Sequence, residues 1–121
     1  MITRAATVDL DGLTLGFRET GEPGVRPVVL LHALGSKAST WDTFAAELAA
    51  AGRHAIAIDL RGHGTSSPAG EYTFRLMATD VLRFLDRRGI KRIDLVGHSL
   101  GGGVALFVAA RRPELVLPFL S

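Results

Sequence analysis

The chain alternates short, almost wholly apolar runs with stretches whose apolar residues recur at helical spacing. Pro27-Val28-Val29-Leu30-Leu31 and His54-Ala55-Ile56-Ala57-Ile58-Asp59 read as strands apolar on both faces, and Arg92-Ile93-Asp94-Leu95-Val96 as a third. Strands of that kind need cover above and below, which an antiparallel sheet wetted on one side does not give. After the first run, Trp41, Phe44, Ala45 and Leu48 repeat with a helical period until Gly52, behind Ser39-Thr40-Trp41-Asp42, which reads as a capping box. After the second, a helix beginning near Thr73 is expected to bury Phe74, Met77, Val81, Phe84 and Leu85 and to stop at Gly89. After the third, an apolar helix is expected from Ser99 to Pro113. Ahead of these units, alternating runs at 5–10 and 13–19 flank Asp11-Gly12, a two-residue hairpin signal. A hairpin followed by three strand–helix units predicts an α/β fold, with a mostly parallel sheet and helices on both faces.

Composition narrows the function. A net charge of +2 from 14 basic and 12 acidic residues is near balance. The paired arginines at 87–88 and 111–112 sit at helix ends, where cations suit the dipole, so no nucleic-acid partner is expected. The absence of Cys excludes disulfides and thiolate chemistry. Met1 to Asp9 lacks the apolar segment of a signal peptide, and the uncharged run from Leu100 to Ala110 is far short of the ~20 residues of a membrane span. A cytoplasmic protein without a membrane partner is the expectation.

In sheets of this type ligands bind beyond the carboxyl ends of the strands. Three turn-rich loops lie there: His32-Ala33-Leu34-Gly35, Asp59-Leu60-Arg61-Gly62-His63-Gly64 and Gly97-His98-Ser99-Leu100-Gly101. The third is a G-x-S-x-G turn between a strand and an apolar helix, the arrangement that raises a serine hydroxyl on a strained bend. Gly97 and Gly101 let strand and helix approach, and the helix N-terminus beyond Ser99 offers N–H groups to a developing oxyanion. A dinucleotide reading of the turn fails because Ser stands where that fingerprint needs its second Gly. No pair among the four His has H-x-x-x-H spacing, so neither a metal nor another cofactor is implied.

Taken with Val28-Val29-Leu30-Leu31-His32, Gly35, Trp41 and Asp59 to Ser66, the turn makes residues 12–114 resemble the N-terminal half of an α/β-hydrolase. The resemblance is to the branch of lactonases, cofactor-free haloperoxidases and small carboxylesterases. It implies Ser99 as nucleophile, with the backbone N–H groups of Leu34 and Leu100 as the oxyanion hole. Ala33 stands where the family more often has Gly. The resemblance makes Asp59 and His63 loop organisers and sets the strand of His32 beside that of Ser99, with His32 bonded within its loop. His98 is expected to point away from Ser99 and to be packed or loop-bonded. His54 has no partner that the sequence names.

The same resemblance places the acid and base of a catalytic triad after the nucleophile helix, and no His follows position 99. Residues 1–121 are therefore expected to form a partial domain without the later strands and lid, inactive alone toward a small-molecule ester or lactone. Pro118 interrupts the strand expected near the end of the chain. The strand at Ile93 to Val96 is expected to become a bare apolar edge through which the chain self-associates, aggregates or pairs with a second piece. The alternative is a non-catalytic remnant that binds a ligand or a partner chain.

Overall fold

Asp11 and Gly12 both adopt positive φ, 56° and 97°, as a primed hairpin turn demands. Leu10 N–H donates to Leu13 O across them (2.7 Å). The turn joins β1 (Thr3–Asp9) to β2 (Thr14–Thr20) in an antiparallel register that pairs Asp9 with Thr14. The structure, a computed structural model, describes residues 2–24 and 26–116. The expectation about Pro118 lies outside them.

Three further strands follow: β3 (Val28–Leu31), β4 (Ala55–Ile58) and β5 (Asp94–Gly97). Among the described residues the sheet order is β1-β2-β4-β3-β5, with β3 parallel to both β4 and β5. The hairpin docks antiparallel through β2 onto β4, so among the described strands β2 alone runs against the other four and the sheet is mixed but mostly parallel, as expected. The last strand begins later than its apolar run, and the N–H of Ile93, turned away from β3, donates to Leu115 O (2.9 Å).

The helices are α1 (Asp42–Ala50), α2 (Phe74–Arg87) and α3 (Leu100–Arg111). Strand alternation divides the core between the two faces of the sheet. Val29, Leu31, Ile56 and Ile58 join Met77, Val81, Phe84, Val104 and Val108 beneath α2 and α3. Val28, Leu30, Ala55 and Ala57 meet Ala38 and Ala45 on the α1 side. That second layer is thin because alanine lets a helix backbone sit close to a sheet.

Thr73 caps α2 as its position suggests, its Oγ1 accepting from Leu76 N–H (3.1 Å). The capping box at Ser39–Asp42 does not form. Ala38–Trp41 is a 3₁₀ turn, and the N-cap of α1 is Trp41, with no side-chain cap bond. The Asp42 carboxylate instead takes a forked pair of bonds from Arg18 (2.9 and 2.8 Å). A charged bidentate pair is a stronger claim on a carboxylate than one backbone amide. Phe74 is not buried as its spacing predicts but about two-fifths exposed, as is Phe44 of the helical repeat on α1. Phe44 lies off the face of α1 that holds Ala45 and Ala49, and Phe74 packs against Phe107 (5.8 Å between centroids) at the rim of α2 and α3.

Candidate active site

Parallel pairing of β3 with both β4 and β5 brings the ends of all three strands to one edge of the sheet. The loop after β3 is held first. His32 is fully buried, its Nε2 accepts Leu60 N–H (3.0 Å), and its Nδ1 meets Ala33 O (2.8 Å). A carbonyl only accepts and an amide N–H only donates, so the ring is neutral with its proton on Nδ1. Burial is the largest influence on its pKa and lowers it; the nearby His63 also lowers it, against smaller upward pulls from Ala33 O and Asp59. Both nitrogens are committed, which leaves neither for proton transfer from a substrate.

The neutral ring has a pH consequence. The unfolded chain gains a proton at His32 near the ordinary value of 6.5, and the folded chain only at lower pH. Folding stability therefore falls as pH drops below about 6.5. Urea midpoints between pH 7 and 5 should decline more steeply in the native chain than in His32→Gln, which has nothing to titrate there.

Asp59 organises the next loop. Its carboxylate accepts from Ala38 N–H (2.7 Å), Thr65 N–H (3.0 Å) and Thr65 Oγ1 (2.8 Å), and its carbonyl accepts from Ser66 Oγ (2.5 Å). His63 stacks at 4.9 Å from His32, with its Nδ1 on Arg61 O (3.0 Å). A cavity of about 660 Å³ lies between the two loops, lined by Leu34 to Lys37, Thr40 and Gly62 to Gly64. Ser99 is not among its lining residues.

The third loop carries the unusual backbone. Ser99 has φ 56° and ψ −112° at the start of α3, a conformation that costs a non-glycine residue about 1–3 kcal/mol. Two contacts hold it there: His98 N–H donates to Leu31 O (3.0 Å), and Gly101 lies against the Leu31 and His32 carbonyls. Ser99 is exposed, and Leu100 opens α3, so the Leu100 N–H has no intrahelical partner. Leu34 occupies the turn after His32 with its side chain in solvent. His98 departs from expectation, for it is exposed and not packed; β5 is the sheet margin, and nothing among the described residues covers its side chain.

A family model described as the alpha/beta hydrolase fold matches residues 26–119. The chain belongs to the α/β-hydrolase family. It is similar to the dihydrolipoyllysine-residue acetyltransferase component of the acetoin cleaving system of Cupriavidus necator, with 40% identity over 90% of this chain and 29% of that protein. An sn-1-specific diacylglycerol lipase of Xenopus tropicalis is 38% identical over 78% of this chain and 30% of its own. Among solved structures, a bacterial membrane phospholipase A superposes with a TM-score of 0.89 at 33% identity, covering 95% of this chain and 37% of that one. A haloalkane dehalogenase loop variant from Bradyrhizobium elkanii gives 0.87 at 32%, covering 94% and 38%. The chain thus spans about a third of the length of these relatives. No helix among its described residues is long and apolar enough to cross a membrane.

Two parts of this α/β-hydrolase site escaped the sequence reading. Arg61 forks onto Asp80 of α2 (2.6 and 2.8 Å) and donates to Glu71 O (2.9 Å), tying the loop after β4 to the helix beneath it. Asp80 is buried beside Met77 and Val81, and an acid in a helix's apolar stripe is a readable sign that a cation must reach it. His54 has a partner after all, Glu19 (2.7 Å), which also receives Arg88 (3.0 Å). Burial pushes the Glu19 carboxyl up, but the bonds from Arg88 and His54 outweigh it and hold the group below its ordinary value. This cluster joins β2 to the end of α2 and has no contact with the loops around Ser99.

Proposed function

We propose that residues 1–121 form part of a single serine-hydrolase domain that acts on ester-like or lactone-like bonds through Ser99. The observation that carries this reading is the backbone of Ser99, bent into positive φ at the first turn of α3. In the proposed step, Ser99 Oγ attacks the substrate carbonyl carbon. The oxyanion accepts hydrogen bonds from the N–H groups of Leu100 and Leu34, and collapse expels the alcohol to leave an acyl-enzyme that water then cleaves. Printed activities of the relatives, among them a lipase and an acetyltransferase, fit acyl transfer as the general chemistry.

The attack needs a base for the hydroxyl proton. His32 is excluded by its bonds and His54 by its burial against Glu19. Among the described residues no hydrogen bond joins His63 or His98 to Ser99, His63 being bonded to Arg61 O, and no His follows Ser99 in the 121 residues; turnover by residues 1–121 alone is therefore expected to be slow, held to the residual ~10³–10⁴-fold over water that oxyanion and binding effects provide. A fluorophosphonate probe followed by peptide mass mapping tests both parts. The expected result is slow labelling confined to Ser99 and abolished by Ser99→Ala. Labelling that persists in Ser99→Ala would overturn the nucleophile assignment. Labelling as fast as that of a full-length family member would overturn the claim that residues 1–121 hold no base for Ser99.

A further inference from the structure

Asp80 is the only buried residue of α2 that is not apolar. Its side chain is 1% exposed, and the fork of Arg61, itself 12% exposed, takes both carboxylate oxygens (2.6 and 2.8 Å). Desolvating two charges costs about as much as their attraction returns, so an apolar pair of similar volume serves folding as well or better. Removing one partner alone is different, because it strands the other charge. Stability gives no reason for an acid in this stripe. The reason lies in what the fork holds in place.

What it holds is one wall of the candidate site. The three residues after Arg61, which are Gly62, His63 and Gly64, line the cavity of about 660 Å³ opposite Leu34 to Lys37. Gly62 and Gly64 have positive φ, 75° and 53°, and a segment with glycine on both sides of His63 has little conformational preference of its own. It is fixed from outside, at two places. On the sheet side the Asp59 carboxylate accepts Thr65 N–H (3.0 Å). On the helix side Arg61 reaches Asp80 and donates to Glu71 O (2.9 Å), and Gly62 closes against Tyr72, whose ring would lie 2.5 Å from a Cβ there. The Arg61 carbonyl accepts from His63 Nδ1 (3.0 Å), and the His63 ring rests on His32 (4.9 Å between centroids). His32 in turn donates to Ala33 O (2.8 Å), just ahead of Leu34.

We propose that Arg61 and Asp80 are positioning residues for the site. Their fork sets where the 62–64 wall and the His63 ring stand, and with them the spacing of the loops on either side of the cavity. Neither side chain touches the reacting atoms. The pair acts through His63 and His32 on the turn that carries the Leu34 N–H. The kinetic consequence rests on Ser99 being the nucleophile, and the placement of the wall does not.

Combining Arg61→Met with Asp80→Leu removes both charges and separates positioning from stability. The urea midpoint of this double variant should equal or exceed that of the native chain. The Cε1–H resonances of His32 and His63, each displaced by the ring current of the other, should move toward ordinary imidazole positions. Fluorophosphonate labelling of Ser99 should slow at least about tenfold, since small misplacements of positioned groups are costly to rate. Arg61→Lys keeps a charge beside Asp80 but cannot make the fork and reach Glu71 O together, so it should fold and show the same changes in smaller degree. A double variant that unfolds, or whose midpoint falls well below the native one, would overturn the proposal, because the pair would then be a brace for the fold. So would a stable double variant whose His32 and His63 resonances, or whose labelling rate, stay at native values. Displaced resonances in the double variant, with Ser99 unlabelled even in the native chain, would uphold the positioning of the wall and sink the nucleophile assignment instead.

Discussion

Replacing Gly101 with alanine is expected to cost about 3 kcal/mol or more, at or above the upper end of ordinary overpacking. A Cβ at this position would lie 2.6 Å from the Leu31 carbonyl carbon and 2.7 Å from His32 O. Both neighbours are backbone, in the strand and loop that hold His32, and neither has a rotamer to change. Relief requires α3 to move away from β3, and that motion also undoes the bend at Ser99. Gly101→Ala should therefore lower the urea midpoint and reduce fluorophosphonate labelling of Ser99 together. Gly102→Ala, where the nearest atom to a new Cβ is 3.6 Å away, should leave both nearly unchanged. Equal stability of the two variants would contradict the packing described here.

Asp59→Ala should be comparably damaging, at about 3–5 kcal/mol, because it leaves three donors without an acceptor. Its carboxylate is the acceptor for two backbone amides and a hydroxyl, from Ala38 and Thr65, and the buried Ala38 has no water to turn to. Each orphaned donor carries about 1–3 kcal/mol of desolvation. Asp59→Asn keeps one acceptor oxygen but turns an NH₂ toward donors, so it should fall between the two. Chemical denaturation of the three proteins at pH 7 gives the order. A loss below 1 kcal/mol for the alanine variant would mean that the loop after β4 is not organised by Asp59.

The parts of this fold that the sequence announced are those in which local chemistry and tertiary demand agree. Asp11-Gly12 tolerates two successive positive φ values, so the hairpin is legible from two letters. The strands apolar on both faces announce a covered sheet, and Gly97 and Gly101 announce a strand and a helix packed backbone to backbone. What stayed hidden depended on residues far apart in the chain. Asp42 looks like the acid of a capping box until Arg18, from the hairpin, takes it. His54 has no visible partner until β2 lies antiparallel to β4 and brings up Glu19. The exposure of His98 and Phe74 runs against the sequence because position and apolar spacing mark the face of an element without saying whether anything lies opposite. The roles of Ser99, Leu34 and Leu100 rest on a motif and a bend, and their chemistry awaits the labelling experiment.

The two margins of the sheet are not alike. β1 is exposed along nearly its whole length and carries Arg4 and Asp9, charges that discourage a neighbouring chain from adding to it. Leu95 and Gly97 of β5 carry no charge. Charge placed on the first strand therefore closes the sheet on the hairpin side.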